Sequence, residues 1–179
     1  VIGKPNVGKS SLLNALLKQE KAIVTELPGT TRDVIEDYIN IRGIPVKIMD
    51  TAGIRHTDDP VESIGVQRSR QAIKGADLII LVLDVGSGLA REDLEIFSSI
   101  EEQNLIILIN KDDLVERKIG KQDIEKHFSG RKVIWISVKE GQGLELLESA
   151  IEEMVFSGLL ESEDSEIAFN LRQKRSLEK

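Results

Sequence analysis

The stretch Gly3-Lys4-Pro5-Asn6-Val7-Gly8-Lys9-Ser10 constrains this chain more than any other. It reads G-x-x-x-x-G-K-S, the pattern of a phosphate-binding P-loop. Gly3 and Gly8 let the backbone curl close to a phosphate chain, where a side chain would collide. The curled backbone turns successive N–H groups inward, and the following helix adds the positive end of its dipole. Lys9 is expected to reach the β- and γ-phosphates, and the Ser10 hydroxyl to ligate magnesium. Asn6, Val7, Gly8 and Ser11 complete the expected cradle. Val1-Ile2 reads as the end of a buried strand, and Ser11 to Leu17 as a helix.

Composition narrows the class further. The chain has 179 residues, 40% hydrophobic and 31% charged, which is ordinary globular composition for one full-sized domain with a short appendage. Aromatics make up 3%, so aliphatic side chains must build the core. The net charge of −7 argues against a protein that coats nucleic acid electrostatically. There is no cysteine, hence no disulfide framework and no cysteine nucleophile. No apolar run approaches the roughly 20 residues of a membrane span, and no signal peptide is visible. No membrane partner is expected, and the cytoplasm is the default location. The chain opens almost on the P-loop and does not start with Met, so it reads as a fragment lacking most of a first strand.

Further along, Ala22 to Asp33 contains Thr25-Glu26-Leu27-Pro28-Gly29-Thr30-Thr31-Arg32, whose Pro-Gly-Thr-Thr cluster breaks regular structure. A nucleotide switch belongs in a loop after the P-loop helix, and Thr31 is the expected second magnesium ligand. Lys18 to Lys21 reads as a turn. Val34 to Ile41 and Val46 to Met49 read as a hairpin joined across Arg42-Gly43-Ile44-Pro45. Its second strand leads to Asp50-Thr51-Ala52-Gly53. Asp50 can reach magnesium through water, and Gly53 can offer its N–H to a γ-phosphate. The charged stretch from Ile54 to Arg70 fits a second switch.

Asp77 to Leu83 reads as a buried strand, Arg91 to Gln103 as a helix with Leu94, Ile96, Phe97 and Ile100 inward, and Leu105 to Ile109 as another buried strand. That strand ends in Asn110-Lys111-Asp112-Asp113, or N-K-x-D. The Asp113 carboxylate can accept hydrogen bonds from the N1–H and 2-amino group of guanine. Adenine lacks that donor pair and would leave the carboxylate unpaired. Asn110 and Lys111 are expected to brace the loop, with the Lys111 stem covering the base. Lys121 to Phe128 reads as a helix, Val133 to Ile136 as the last strand, and Gly143 to Val155 as a closing amphipathic helix. The expected fold class is α/β: a three-layer P-loop NTPase with a mostly parallel sheet and one antiparallel hairpin strand. The expected domains are a G domain over 1–156, an acidic linker over 157–166 and the start of a following helical domain over 167–179.

The ordered set G-K-P-N-V-G-K-S-S, P-G-T-T-R-D, D-T-A-G-I-R, N-K-D-D and S-V-K resembles translation-factor-class GTPases with a Ras-like G domain. Within that class it is most similar to the MnmE (TrmE) family. The segments that select the family are Ala22 to Asp33, Asp50 to Arg55 and Asp59 to Arg68. This resemblance implies a potassium-activated GTPase with GTP as substrate. It implies that the G domain dimerises in the transition state and drives wobble-uridine modification of tRNA with an FAD-dependent partner, MnmG (GidA). It implies that Ser137-Val138-Lys139 sets a backbone N–H on the guanine O6. Asn6 would bind potassium by its side chain, with carbonyls from Thr25, Leu27 and Thr30, and magnesium would take Ser10 and Thr31. Ras-like GTPases orient the attacking water with a Gln where this chain has Ile54, so the resemblance gives that task to Glu62. Arg32 would shape the switch, with Lys9 and Glu62 as its catalytic companions. The competing expectation is a ribosome-assembly switch like Der or Era, with slow hydrolysis.

Overall fold

A computed structural model describes residues 1–20, 38–48, 73, 76–100 and 104–161. In chain order the elements are α1 (Lys9–Glu20), β1 (Tyr38–Ile41), β2 (Ile44–Lys47), β3 (Leu78–Asp84), α2 (Arg91–Ser98), β4 (Asn104–Asn110), α3 (Lys121–His127), β5 (Lys132–Trp135) and α4 (Leu144–Glu161). The apolar runs of β3 and β4 do not alternate with polar residues, which is the signature of strands covered on both faces. They pair in parallel from Leu78 opposite Asn104 to Asp84 opposite Asn110. β5 pairs in parallel on the other side of β4. Ile2 lies alongside Leu81 in parallel, so the chain's start occupies the remaining side of β3.

Residue parity sorts the core into two layers. Ile80, Val82, Ile106, Leu108, Ile134 and Ile136 face one way and pack with Leu12 and Leu16 of α1 and Leu147 and Ile151 of α4. Ile79, Leu81, Leu83, Leu105, Ile107 and Ile109 face the other way, toward Phe128 and the partly buried Leu94, Phe97 and Ile124 of α2 and α3. The result is helix, sheet, helix, as the α/β reading requires. β1 and β2 form an antiparallel pair. Ile39 and Ile41 of β1 join the α1 and α4 side, and Asn40 between them is exposed. Among the described residues, no helix is long and apolar enough to cross a membrane.

Several boundaries differ from expectation, each for a local reason. α1 does not turn at Lys18 but runs to Glu20, where Lys18 sits favourably at the negative end of the helix dipole. The hairpin turn is not the four residues 42–45: Ile44 and Pro45 already belong to β2, and Pro45 stands opposite Asn40. Arg42 and Gly43 alone make the turn, with φ of 53° and 87°. Two positive φ values match the twist of the flanking strands. α2 stops at Ser98 rather than continuing to Gln103. The Ser98 hydroxyl donates to the Glu95 carbonyl and the Ser99 hydroxyl to that of Ile96, at 2.9 and 2.6 Å. Such local bonds compete with continued helix, while Ile100 stays buried as expected. α4 runs on through Ser157 and Gly158 to Glu161, five residues into the stretch read as linker. Residues 162–179 lie outside the described residues.

Ile107 is fully buried at the middle of β4. Ile107→Ala should cost about 3–4 kcal/mol of stability. Leu146→Ala on the exposed side of α4 should stay within about 0.5 kcal/mol. Urea unfolding of both variants checks this; equal midpoints would contradict the two-sided sheet.

Candidate nucleotide-binding site

The loop over Gly3 to Gly8 is launched from the sheet. The Ile2 N–H donates to the Ile80 carbonyl and the Ile2 carbonyl accepts from the Val82 N–H, each at 2.9 Å. The backbone then turns sharply, with φ of 141° at Gly3 and 105° at Gly8. A Cβ on Gly3 would collide with the Val82 carbonyl oxygen, and one on Gly8 with the Asn110 amide nitrogen. Both glycines are therefore required by close approach as well as by conformation. Asn6, with φ of 62°, is exposed within the loop's turn. α1 begins at once, its first turn holding no acidic residue. That leaves the positive end of its dipole uncancelled for an anion.

Lys9 folds back across the loop. Its ammonium donates to the carbonyls of Gly3 and Lys4 at 2.7 and 2.6 Å. Burial pulls its pKa below the usual lysine value. Lys4 points the other way, its ammonium 2.7 Å from the Asp93 carboxylate of α2. Asp93 is 1% exposed and also accepts the Ala90 N–H, so it starts α2 and anchors the loop together. The sequence reading missed this pair. Asp93 could be placed near a helix start from spacing, but nothing local tied it to Lys4.

The second half of the site lies at the ends of β4 and β5. Asn110 is buried; its amide nitrogen donates to the Val7 carbonyl at 2.8 Å, and its oxygen accepts the Val138 N–H at 3.2 Å. The bracing role expected of Asn110 thus has a definite form, reaching the P-loop on one side and the turn after β5 on the other. The Val138 N–H is engaged in that brace. Lys111, with φ of 66°, extends its ammonium to the Asp84 carboxylate at 2.6 Å. Asp113 accepts the fully buried Ser137 hydroxyl at 2.6 Å, and Lys139 stands 3.8 Å away. The Ser137 hydroxyl also accepts the Glu140 N–H. The Ser137 bond, with help from Lys139, holds the Asp113 carboxyl below the usual range although desolvation opposes it. Sequence reading placed Ser137 in the site but not its bond to Asp113.

The structure thus brings Asn6, Val7, Gly8, Lys9, Ser10 and Ser11 together in one loop-helix unit. Asn110, Lys111, Asp113, Ser137, Val138 and Lys139 gather at the adjoining strand ends, where ligands bind in open parallel sheets. Thr25, Glu26, Leu27, Pro28, Gly29, Thr30, Thr31, Arg32, Asp50, Thr51, Ala52, Gly53 and Glu62 lie outside the described residues. Ser10, exposed in the first turn of α1, carries the hard hydroxyl oxygen that magnesium accepts. Asn6, an exposed residue, carries an amide oxygen of the kind that suits an alkali cation.

The family model described as 50S ribosome-binding GTPase matches residues 1–111. The chain belongs to this GTPase family. It is a G domain with GTP as its substrate, and the resemblance drawn from its motifs is borne out by relatives. It is 58% identical over 177 residues to the tRNA modification GTPase MnmE of Syntrophomonas wolfei subsp. wolfei, covering 99% of this chain and 39% of that protein. It is 48% identical over 179 residues to MnmE of Clostridioides difficile, covering 100% of this chain and 39% of that one. The chain thus spans about two fifths of the length of these relatives. Among solved structures, the G domain of the T. maritima FeoB iron transporter matches with a TM-score of 0.59 and 32% identity, over 86% of this chain and 94% of that one. Aquifex aeolicus Era bound to GDP.AlF4- matches with a TM-score of 0.55 and 26% identity, over 85% of this chain and 54% of that one.

A carboxyl whose pKa is lowered in the folded chain keeps its charge further into acid, and only the charged form accepts both guanine donors. Removing Ser137's hydroxyl removes the largest cause of that lowering. In Ser137→Ala, GDP affinity should therefore begin to fall at higher pH than in the parent. Titrations of GDP binding from about pH 7 to about 4 read this directly. Superimposable acid limbs would separate Ser137 from the guanine site.

Proposed function

We propose that this chain is the GTP-hydrolysing domain of a potassium-activated tRNA modification GTPase. The observation that carries the reading is its 58% identity to an MnmE over 99% of its own length. GTP binding follows from the site as built. Lys9 exchanges its two carbonyl partners for the β- and γ-phosphates. Ser10 and Thr31 hold magnesium, which neutralises phosphate charge. Asp113 reads the guanine edge, Asn110 fixes the span between phosphate and base loops, and the Ser137-Val138-Lys139 turn meets the far edge of the base.

Potassium, held by Asn6 with carbonyls of Thr25, Leu27 and Thr30, supplies positive charge beside the phosphates. In other GTPases an arginine finger fills that place, worth about 10³–10⁵ in rate. The exposure of Asn6, held at a φ of 62°, supports its share in such a site. Glu62 orients the attacking water and Arg32 shapes the first switch, while Asp50 and Gly53 contact magnesium's water and the γ-phosphate. Two copies associate through their G domains to complete the reaction. In a longer chain the cycle drives wobble-uridine modification of tRNA with MnmG in the cytoplasm. We assign residues 1–156 to the G domain, 157–166 to a linker and 167–179 to the start of a following helical domain.

A second reading, a ribosome-assembly switch, is favoured by the likeness to Era and by the family description, 50S ribosome-binding GTPase. GTP turnover in potassium against sodium at equal ionic strength, with association followed by light scattering, discriminates the two. Turnover and association only in potassium are expected. Equal slow turnover by a monomer in both salts would favour the switch. Asn6→Ala should abolish the potassium response while keeping GDP binding, checked by the same assay and a GDP titration. Glu62→Ala should reduce potassium-stimulated turnover by about 10²-fold or more, the usual loss for a water-positioning group. Unchanged turnover would make Glu62 a solvated surface acid.

A further inference from the structure

We infer that Asp84 is a positioning residue for guanine recognition, acting by holding the Lys111 ammonium so that the lysine stem is fixed across the base side of the site. The inference rests on the guanine reading of the N-K-x-D segment. No motif includes Asp84, which stands at the end of β3. Register sets it directly opposite Asn110 on β4, so Lys111 leaves its strand one residue beyond the level of Asp84.

The two carboxylate oxygens of Asp84 have separate partners. Oδ1 accepts the Gly86 N–H at 2.8 Å, and Oδ2 accepts from the Lys111 ammonium at 2.6 Å. The segment after Asp84 is itself tied down. The Val85 N–H donates to the Asn110 carbonyl at 3.0 Å, and the Lys118 N–H donates to the Val85 carbonyl at 2.8 Å. Asp84 therefore sits on a fixed platform, and its side chain is 14% exposed. Desolvation pushes its carboxyl up, but the Lys111 bond, the Gly86 N–H and the Lys111 charge together hold it below the usual value, so the carboxylate keeps its charge for the lysine.

A lysine stem has four flexible bonds, and ordering it on ligand binding costs conformational entropy. Pinning the ammonium beforehand removes part of that cost from the binding step. The stem is then stretched from the end of β4 toward the end of β3. Its methylenes provide an apolar surface, and its charge is satisfied away from the base.

The test is a double-mutant cycle on GDP binding with the 179-residue chain, using Asp84→Asn, Lys111→Met and both together. Asp84→Asn keeps an oxygen for the Gly86 N–H but turns an amide donor toward the ammonium. GDP should bind it about fivefold to tenfold more weakly, from coupling of the size found between contacting residues. In the Lys111→Met background the same change should have almost no effect. The ratio of GDP to IDP affinity, which reports Asp113 and the 2-amino group, should stay as in the parent. Equal losses in both backgrounds would overturn the inference, as would unchanged GDP affinity in Asp84→Asn or a collapsed GDP to IDP ratio. Thermal melting of each variant separates unfolding from binding: a loss that tracks melting in both backgrounds also counts against it. A parent chain that fails to prefer GDP over ADP would instead overturn the guanine reading beneath.

Discussion

The buried amide of Asn110 is the joint on which the rest of the site depends. One side of it donates to the Val7 carbonyl in the phosphate loop, and the other accepts from Val138 after β5. The two loops that would grip opposite ends of a nucleotide are thereby held at a fixed span. An aspartate here would have no donor for Val7 and would bury a charge. A leucine would strand both backbone groups, each at a cost of about 1–3 kcal/mol. The same amide explains Gly8, since any Cβ there would run into the Asn110 nitrogen. The second glycine of the loop answers to a residue on a different strand as much as to a phosphate.

The parallel sheet supplies the level surface on which this joint is set. Asp84 and Asn110 end their strands opposite one another, and Ile109 pairs with Trp135 just before the turn that carries Ser137. Lysines leaving these loops are tied back by carboxylates on neighbouring elements: Lys4 by Asp93 and Lys111 by Asp84. Taking the Asp93 carboxylate to 1% exposure costs desolvation energy, against which stand the Lys4 ammonium and the Ala90 N–H. What the pairs do supply is geometry, because a charged lysine with a close carboxylate has one place to be. The P-loop is thus located from beneath by β3, from the side by α2 and from across the site by Asn110.

The motif residues were legible in the sequence because their chemistry is written at fixed spacing. The two-sided sheet was legible because unbroken aliphatic runs at 78–83 and 105–109 leave no solvent face. Partnerships across the fold were not. Lys111 and Asp84 are 27 residues apart, and no periodicity links them. Ser137 was readable as part of a turn, but its bond to Asp113 exists only once β4 and β5 lie side by side. Helix ends were misread where a side chain decides them: Ser98 and Ser99 end α2 by bonding carbonyls, while Ser157, bonded to the Glu153 carbonyl, does not end α4. The same residue type gives opposite outcomes because the first two sit where the backbone can leave for a buried Ile100. The hairpin turn was drawn two residues too wide, since an arginine at positive φ is not what turn statistics favour.

That arginine shows how magnitudes decide between effects. Arg42 reaches α4 through Glu152 at 3.3 Å, Glu148 at 3.6 Å and the Glu145 carbonyl at 3.4 Å. Its side chain is 39% exposed, so these contacts together contribute on the order of 1 kcal/mol or less. Ile39 and Ile41 on β1 are each 4% exposed, and burying each stabilises by about 1.5–3 kcal/mol. Burial therefore holds the hairpin on the core, and the arginine sets only where its tip lies along α4. The positive φ at Arg42, worth about 1 kcal/mol of strain in an isolated residue, is offset by the turn that the two strands require. The hairpin lies in sequence between the two stretches read as switches. Its fixed inner strand and weakly tethered tip follow from the same two apolar residues and one surface charge.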